Sequence, residues 1–100
     1  MEIIFPEKYP IEPPFIRIVN PRFTYKTGHI TSGGSICMEV LTKSGWSPSY
    51  SMETLIVDIK STIIEGDGQI DINRWREEYS LSEAKDSFMR VAASYGWNTY

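Results

Sequence analysis

Cysteine and histidine each occur once in these 100 residues, as Cys37 and His29. One cysteine cannot close an internal disulfide, and secreted domains this small usually rely on several, so a reducing compartment, cytoplasmic or nuclear, is expected. An excess of basic residues is missing too. The net charge of -3 provides no field to neutralise phosphates, which argues against nucleic acid or an anionic membrane as the main partner and leaves proteins. No apolar stretch approaches the roughly 20 residues of a membrane span. Met1 to Pro6 has no basic segment followed by a long apolar run, so nothing there directs export. Repeats and linker-like composition are absent as well, so residues 1–100 read as a single domain. With 41% hydrophobic and 23% charged residues, the chain is expected to fold around one small core.

Glu2 to Phe5 and Phe15 to Val19 are rich in β-branched and aromatic residues and are bounded by prolines, which cannot join a ladder. They read as two strands. Between them, Pro6 to Pro14 contains four of the six prolines, a stiff loop suited to presenting a surface. Asn20 to Trp46 shows little periodicity, and long irregular segments in compact domains are usually functional. A helix is predicted over Met52 to Ile64, N-capped by Ser51 and ended by Gly66. Met52, Leu55, Ile56, Ile59 and Ile63 share one of its faces, with Thr54, Val57 and Ser61 opposite. A second helix, from about Ser82 to Tyr95, places Ala84, Phe88, Val91, Ala92 and Tyr95 on one stripe and stops at Gly96.

Cys37 follows Gly33-Gly34-Ser35-Ile36, and His29 lies eight residues earlier in the same irregular segment. Two readings of the cysteine remain open on residues alone. It is either a small buried hydrophobe, the commoner fate of a lone cysteine, or an accessible nucleophile. His29 is likewise a turn residue or a proton-transfer group.

Several motifs in order bear on that choice: Phe5-Pro6, then Tyr9-Pro10-Ile11-Glu12-Pro13-Pro14, then Gly34-Ser35-Ile36-Cys37, then Trp46-Ser47-Pro48. Together these resemble the ubiquitin-conjugating enzymes over nearly the whole chain. The run Cys37 to Trp46, with one extra residue before the tryptophan, and the ending Gly96-Trp97 resemble the Q branch of that family most closely. The resemblance implies an α+β fold, an antiparallel sheet with helices packed on it. It also implies that Cys37 accepts ubiquitin or a ubiquitin-like modifier as a thioester for transfer to an amine or hydroxyl, with no metal or organic cofactor. Activating enzyme and ubiquitin ligase are the implied partners. Ligase binding falls by position on Ile11 and on Pro48 and Ser49, although Ile11 could instead pack inward. Donor ubiquitin falls on Thr54, Val57 and Ser61. Trp46 and Trp97 are assigned to the core, and Asp67 is either an acidic gate beside the cysteine or a turn residue.

Two departures stand out. Thr27-Gly28-His29 aligns with the family's His-Pro-Asn triplet, so His29 stands where an asparagine is held to steady the attack site. A neutral imidazole can donate one hydrogen bond to an oxyanion, as an amide can, and can also accept a proton, which would favour a hydroxyl acceptor. The chain also starts in what would be the third strand, without the family's first helix and first two strands. Met1 to Phe5 is then expected to be an edge strand that pairs with a second copy or a larger parent polypeptide. Two rival readings are a catalytically inactive variant that only binds ubiquitin or a ligase, and a cysteine hydrolase built on Cys37 and His29. The second lacks a clear residue to orient the histidine.

Overall fold

Prolines and glycines decide where regular structure stops in this chain. In a computed structural model that describes residues 1–99, β1 spans Glu2–Ile4 and β2 spans Phe15–Arg17. They pair antiparallel, with Glu2 opposite Arg17, Ile3 opposite Ile16 and Ile4 opposite Phe15. Both lie within the expected runs. The other edge of β2 is taken by the irregular segment. Ile36 donates its N–H to the Ile16 carbonyl at 3.2 Å, and Ile18 donates to Gly34 at 2.7 Å. Successive strand residues face opposite sides, yet Ile16, Arg17 and Ile18 are all buried, so β2 is covered on both faces. A buried guanidinium needs partners. Arg17 has Glu2 Oε1 at 2.7 Å and the Tyr79 carbonyl at 3.0 Å.

Helix α1, Met52–Glu65, begins as expected, with Ser51 Oγ accepting from the Thr54 N–H at 3.2 Å. It ends against Gly66. Leu55 and Ile59 are fully buried, and Met52 and Ile63 pack beside them. The short 3₁₀ turn Glu39–Leu41 contributes Leu41 to the same core.

Helix α2 runs over Leu81–Tyr95, one residue earlier than expected, because Ser80 and Glu83 form a reciprocal cap. The Ser80 side chain accepts from the Glu83 N–H at 3.1 Å, and the Glu83 carboxylate accepts from the Ser80 N–H at 2.7 Å. The Ser-x-x-Glu spacing that signals this box is present in the sequence. Replacing Ser80 with Ala is expected to remove about 1 kcal/mol of stability, a shift of roughly 4–8 °C in the melting midpoint. An unchanged midpoint would mean that the Arg22–Glu83 ion pair (3.1 Å) holds the helix start without the cap.

The buried face of α2 is Ala84, Ser87, Phe88 and Ala92, and Phe88 meets Phe15 edge-on with ring centres 5.6 Å apart. Tyr95 does not join that stripe. It is 65% exposed and stacks on Trp97 at 4.6 Å, because the last turn of α2 runs past the core. Trp97 accordingly packs on Tyr95 rather than within the central cluster, whereas Trp46 packs against the cluster as expected. One core joins Ile16, Ile30, Ile36, Leu55, Ile59 and Phe88, so sheet and helices form the expected α+β unit.

Candidate active site

The segment from Gly28 to Cys37, irregular in composition, folds into a tight hairpin. Ile30 bridges Ile36, Thr31 donates its N–H to Ser35 at 2.9 Å, and Gly34 donates to Thr31 at 2.9 Å. At the open end Cys37 donates its N–H to the His29 carbonyl at 2.8 Å. The eight-residue separation therefore does bring the two backbones together. The hairpin also alternates faces: Ile36 is fully buried beneath it, and Cys37 is half-buried at the surface.

His29 is exposed and adopts a left-handed backbone, φ 56°. Its ring lies over the end of α1, so close that a Cβ on Gly66 would meet His29 Cδ2 at 2.7 Å. Gly28 reinforces the contact by donating its N–H to the Gly66 carbonyl at 2.8 Å. Asp67 follows directly, exposed and at φ 54°, with its N–H donated to Ile64 at 3.0 Å. That is the geometry of a helix-ending turn.

Burial pushes the Cys37 thiol above its ordinary range. A hydrolase-type cysteine is held as thiolate by an ion-paired histidine, and among the described residues the influence resolved on Cys37 is burial, which acts in the opposite sense. The sulfur is thus stored as a thiol at neutral pH. Alkylation by iodoacetamide should follow a pH profile displaced upward from that of the urea-unfolded chain, and superimposable profiles would show that burial does not control the thiol. The same displacement has a sign for stability. The unfolded chain releases the proton first, so the fold loses stability as pH climbs from the unfolded thiol's range through the folded one.

The surfaces flanking the hairpin are well separated along the chain. Thr54, Val57 and Ser61 are exposed on one stripe of α1, with Val57 60% exposed. Ile64, 75% exposed, prolongs it. Its i+7 spacing from Val57 could have been read from the sequence. Ile11 is 70% exposed, which settles its inward alternative, and Pro48 and Ser49 are exposed in the second loop. Trp46 ties the two loops together, donating its indole N–H to the Pro10 carbonyl at 2.8 Å while stacking on Tyr50. Tyr50 in turn donates to Asp58 of α1 at 2.5 Å, a bond that pushes the phenol's pKa up. This link from loops to helix has no signal in the sequence. Among the described residues, no three His, Cys, Asp or Glu side chains gather as a metal site.

The strand-loop-strand unit, the cysteine hairpin and the helix that follows are the parts of a known fold. The sequence model of the ubiquitin-conjugating enzyme family matches residues 1–94, and the chain belongs to that family. Among curated relatives it is similar to ubiquitin-conjugating enzyme E2 Q1 of Homo sapiens, 37% identical over 98 residues that make up 95% of this chain and 23% of the relative. Ubiquitin-conjugating enzyme E2 25 of Caenorhabditis elegans is 40% identical over 99 residues, 95% of this chain and 25% of the relative. Ubiquitin-conjugating enzyme E2Q-like protein 1 of Homo sapiens is 33% identical over 104 residues, 99% of this chain and 63% of the relative. These matches bear out the resemblance to the Q branch. The chain spans about a quarter of the length of the first two and less than two thirds of the third.

Proposed function

We propose that Cys37 accepts ubiquitin, or a ubiquitin-like modifier, as a thioester and passes it to an amine or hydroxyl. In the first step the modifier's terminal carbonyl carbon leaves the sulfur of an activating enzyme and bonds to Cys37 Sγ. The thiol proton goes to the departing thiolate or to water. In the second step the acceptor attacks the same carbon, an oxyanion forms, the C–S bond breaks and Cys37 leaves as thiolate. A thiolate is a far better leaving group than the acceptor's amide or alkoxide, so the intermediate collapses forward. His29 donates one ring N–H to the oxyanion and, in its neutral form, can take the acceptor's proton on the other nitrogen.

The observation that carries this reading is the hairpin. It presents the single thiol half-buried at the surface and joins it through a 2.8 Å backbone bond to His29, which by the sequence resemblance stands at the position of the family's asparagine. Donor ubiquitin would lie on Thr54, Val57 and Ser61, and a ligase would dock on Ile11, Pro48 and Ser49, whose loops Trp46 joins. The free thiol suits the reducing cytoplasm or nucleus.

The test supplies ubiquitin in two forms, with activating enzyme and ATP, and as a pre-made small-thiol thioester that needs no activating enzyme. A reducible adduct one ubiquitin heavier is expected from at least one, and none on Cys37→Ala. An adduct that persists on Cys37→Ala would reassign the site. Absence from both donors would instead favour the inactive, binding-only reading. The outer edge of β1 is a separate matter: we propose that it pairs with a second copy, and light scattering that finds a monomer across a concentration series would rule this out.

A further inference from the structure

The hairpin that carries His29 and Cys37 is fastened at its far end to α2 by three buried hydroxyls. Thr31 Oγ1 lies 2.6 Å from Ser35 Oγ and 2.7 Å from Ser87 Oγ. Ser87 sits on the buried face of α2, 56 residues away from Thr31 in the chain. All three residues are buried.

The direction of these bonds can be worked out from their ends. Ser87 Oγ lies 3.1 Å from the Ala84 carbonyl, which can only accept, so the single Ser87 hydroxyl proton is committed there. Thr31 must then donate to Ser87, and Ser35 to Thr31. Two backbone donors complete the set: the Gly33 N–H reaches Ser87 Oγ at 3.2 Å, and the Ser35 N–H reaches Thr31 Oγ1 at 3.0 Å. Thr31 and Ser87 thus each accept two hydrogen bonds and donate one, and every proton in the network has a partner. Such a network is cooperative and directional, which an apolar filling of the same space is not.

Direction matters here because the hairpin's tip is Gly33-Gly34, and glycine-rich strands specify their register weakly. A slip of one residue would exchange faces, turning Cys37 into the core and Ile36 outward. It would also break the Cys37–His29 backbone bond.

We infer that Thr31 and Ser87 are positioning residues, holding the hairpin in the register that keeps Cys37 at the surface and paired with His29. This rests on the thioester function proposed above only for its catalytic consequence. The register itself can be read without ubiquitin.

The experiment compares Thr31→Val, which keeps the shape and removes the hydroxyl, with Thr31→Ser, which keeps the hydroxyl, and with Ser87→Ala on the helix side. Amide hydrogen exchange is followed at Cys37 and, as a reference for general loosening, at Ile59 in the core of α1. Thr31→Val and Ser87→Ala are expected to speed exchange at Cys37 by about ten-fold more than at Ile59, with Thr31→Ser near wild type. Equal acceleration at the two amides, or failure of Thr31→Ser to restore Cys37, overturns the inference. A second arm uses the pre-made ubiquitin thioester of Cys37. There, Thr31→Val should lower the maximal discharge rate while leaving the half-saturating acceptor concentration unchanged. If the wild-type chain takes no ubiquitin, the proposed function fails while the exchange result still decides the clamp.

Discussion

Replacing His29 with alanine should slow discharge of the Cys37 thioester to acceptors by roughly 10²–10³-fold, the usual cost of losing an oxyanion donor, while changing the rate of loading far less. The asymmetry follows from the attacking group. Both steps pass through a tetrahedral oxyanion, but loading exchanges one good thiolate nucleophile and leaving group for another, whereas a neutral amine or hydroxyl is the weaker nucleophile and depends more on stabilisation of that oxyanion. The choice of variant is dictated by the backbone. At φ 56° alanine would carry a left-handed strain of about 1–2 kcal/mol, whereas asparagine tolerates that region well. His29→Asn is therefore the cleaner probe, and His29→Ala must be read beside its melting midpoint. Asparagine keeps a donor but cannot accept a proton, so His29→Asn is expected to retain discharge to amines and lose discharge to hydroxyls. Equal loss in loading and discharge would assign His29 to its contact with Gly66 instead.

Adding one methyl group to Gly33 should remove a large share of the fold's stability. A Cβ there would overlap the Glu83 carbonyl oxygen and lie 2.5 Å from Ser87 Oγ. The carbonyl belongs to the first turn of a capped helix, so neither side can retreat cheaply. Overpacking of this kind costs about 1–3 kcal/mol, and disturbing the Thr31–Ser87 network adds about 1–3 kcal/mol for buried groups left unpaired. Against the roughly 5–15 kcal/mol that holds an ordinary domain, Gly33→Ala should lower the melting midpoint by about 15 °C or more. Gly96→Ala is the control. Nothing lies within 4 Å of its added Cβ, so only the left-handed φ of 76° opposes it, at about 1 kcal/mol. Similar losses at the two positions would mean that the hairpin is not pressed against α2.

Much of the framework was legible because its determinants act over a few residues. Prolines bounded both strands, Ser51 announced α1 and Gly66 closed it. The readable signals passed over were also local: Ser80-x-x-Glu83 at the start of α2, and Ile64 seven residues after Val57 on the exposed stripe of α1. Tyr95 misled because helical spacing records which residues share a face but not where the core beneath that face ends. At the site, the order of the proline-rich loop, the Gly-Ser-Ile-Cys turn and the Trp-Ser-Pro loop marked the family, and the eight-residue interval allowed the backbones of His29 and Cys37 to meet.

By itself, then, the sequence determined the element boundaries, the single available thiol and the family, since each depends on residue identity and short spacing. Tertiary structure alone decided how that thiol is held. The His29 ring packs over Gly66 at the far end of α1, Tyr50 reaches Asp58, and Ser87 receives Thr31 across 56 residues of chain. No periodicity encodes such pairs. A serine on a helix reads as solvent-facing until the packing of the hairpin against α2 shuts out water and leaves its hydroxyl only protein groups to bond.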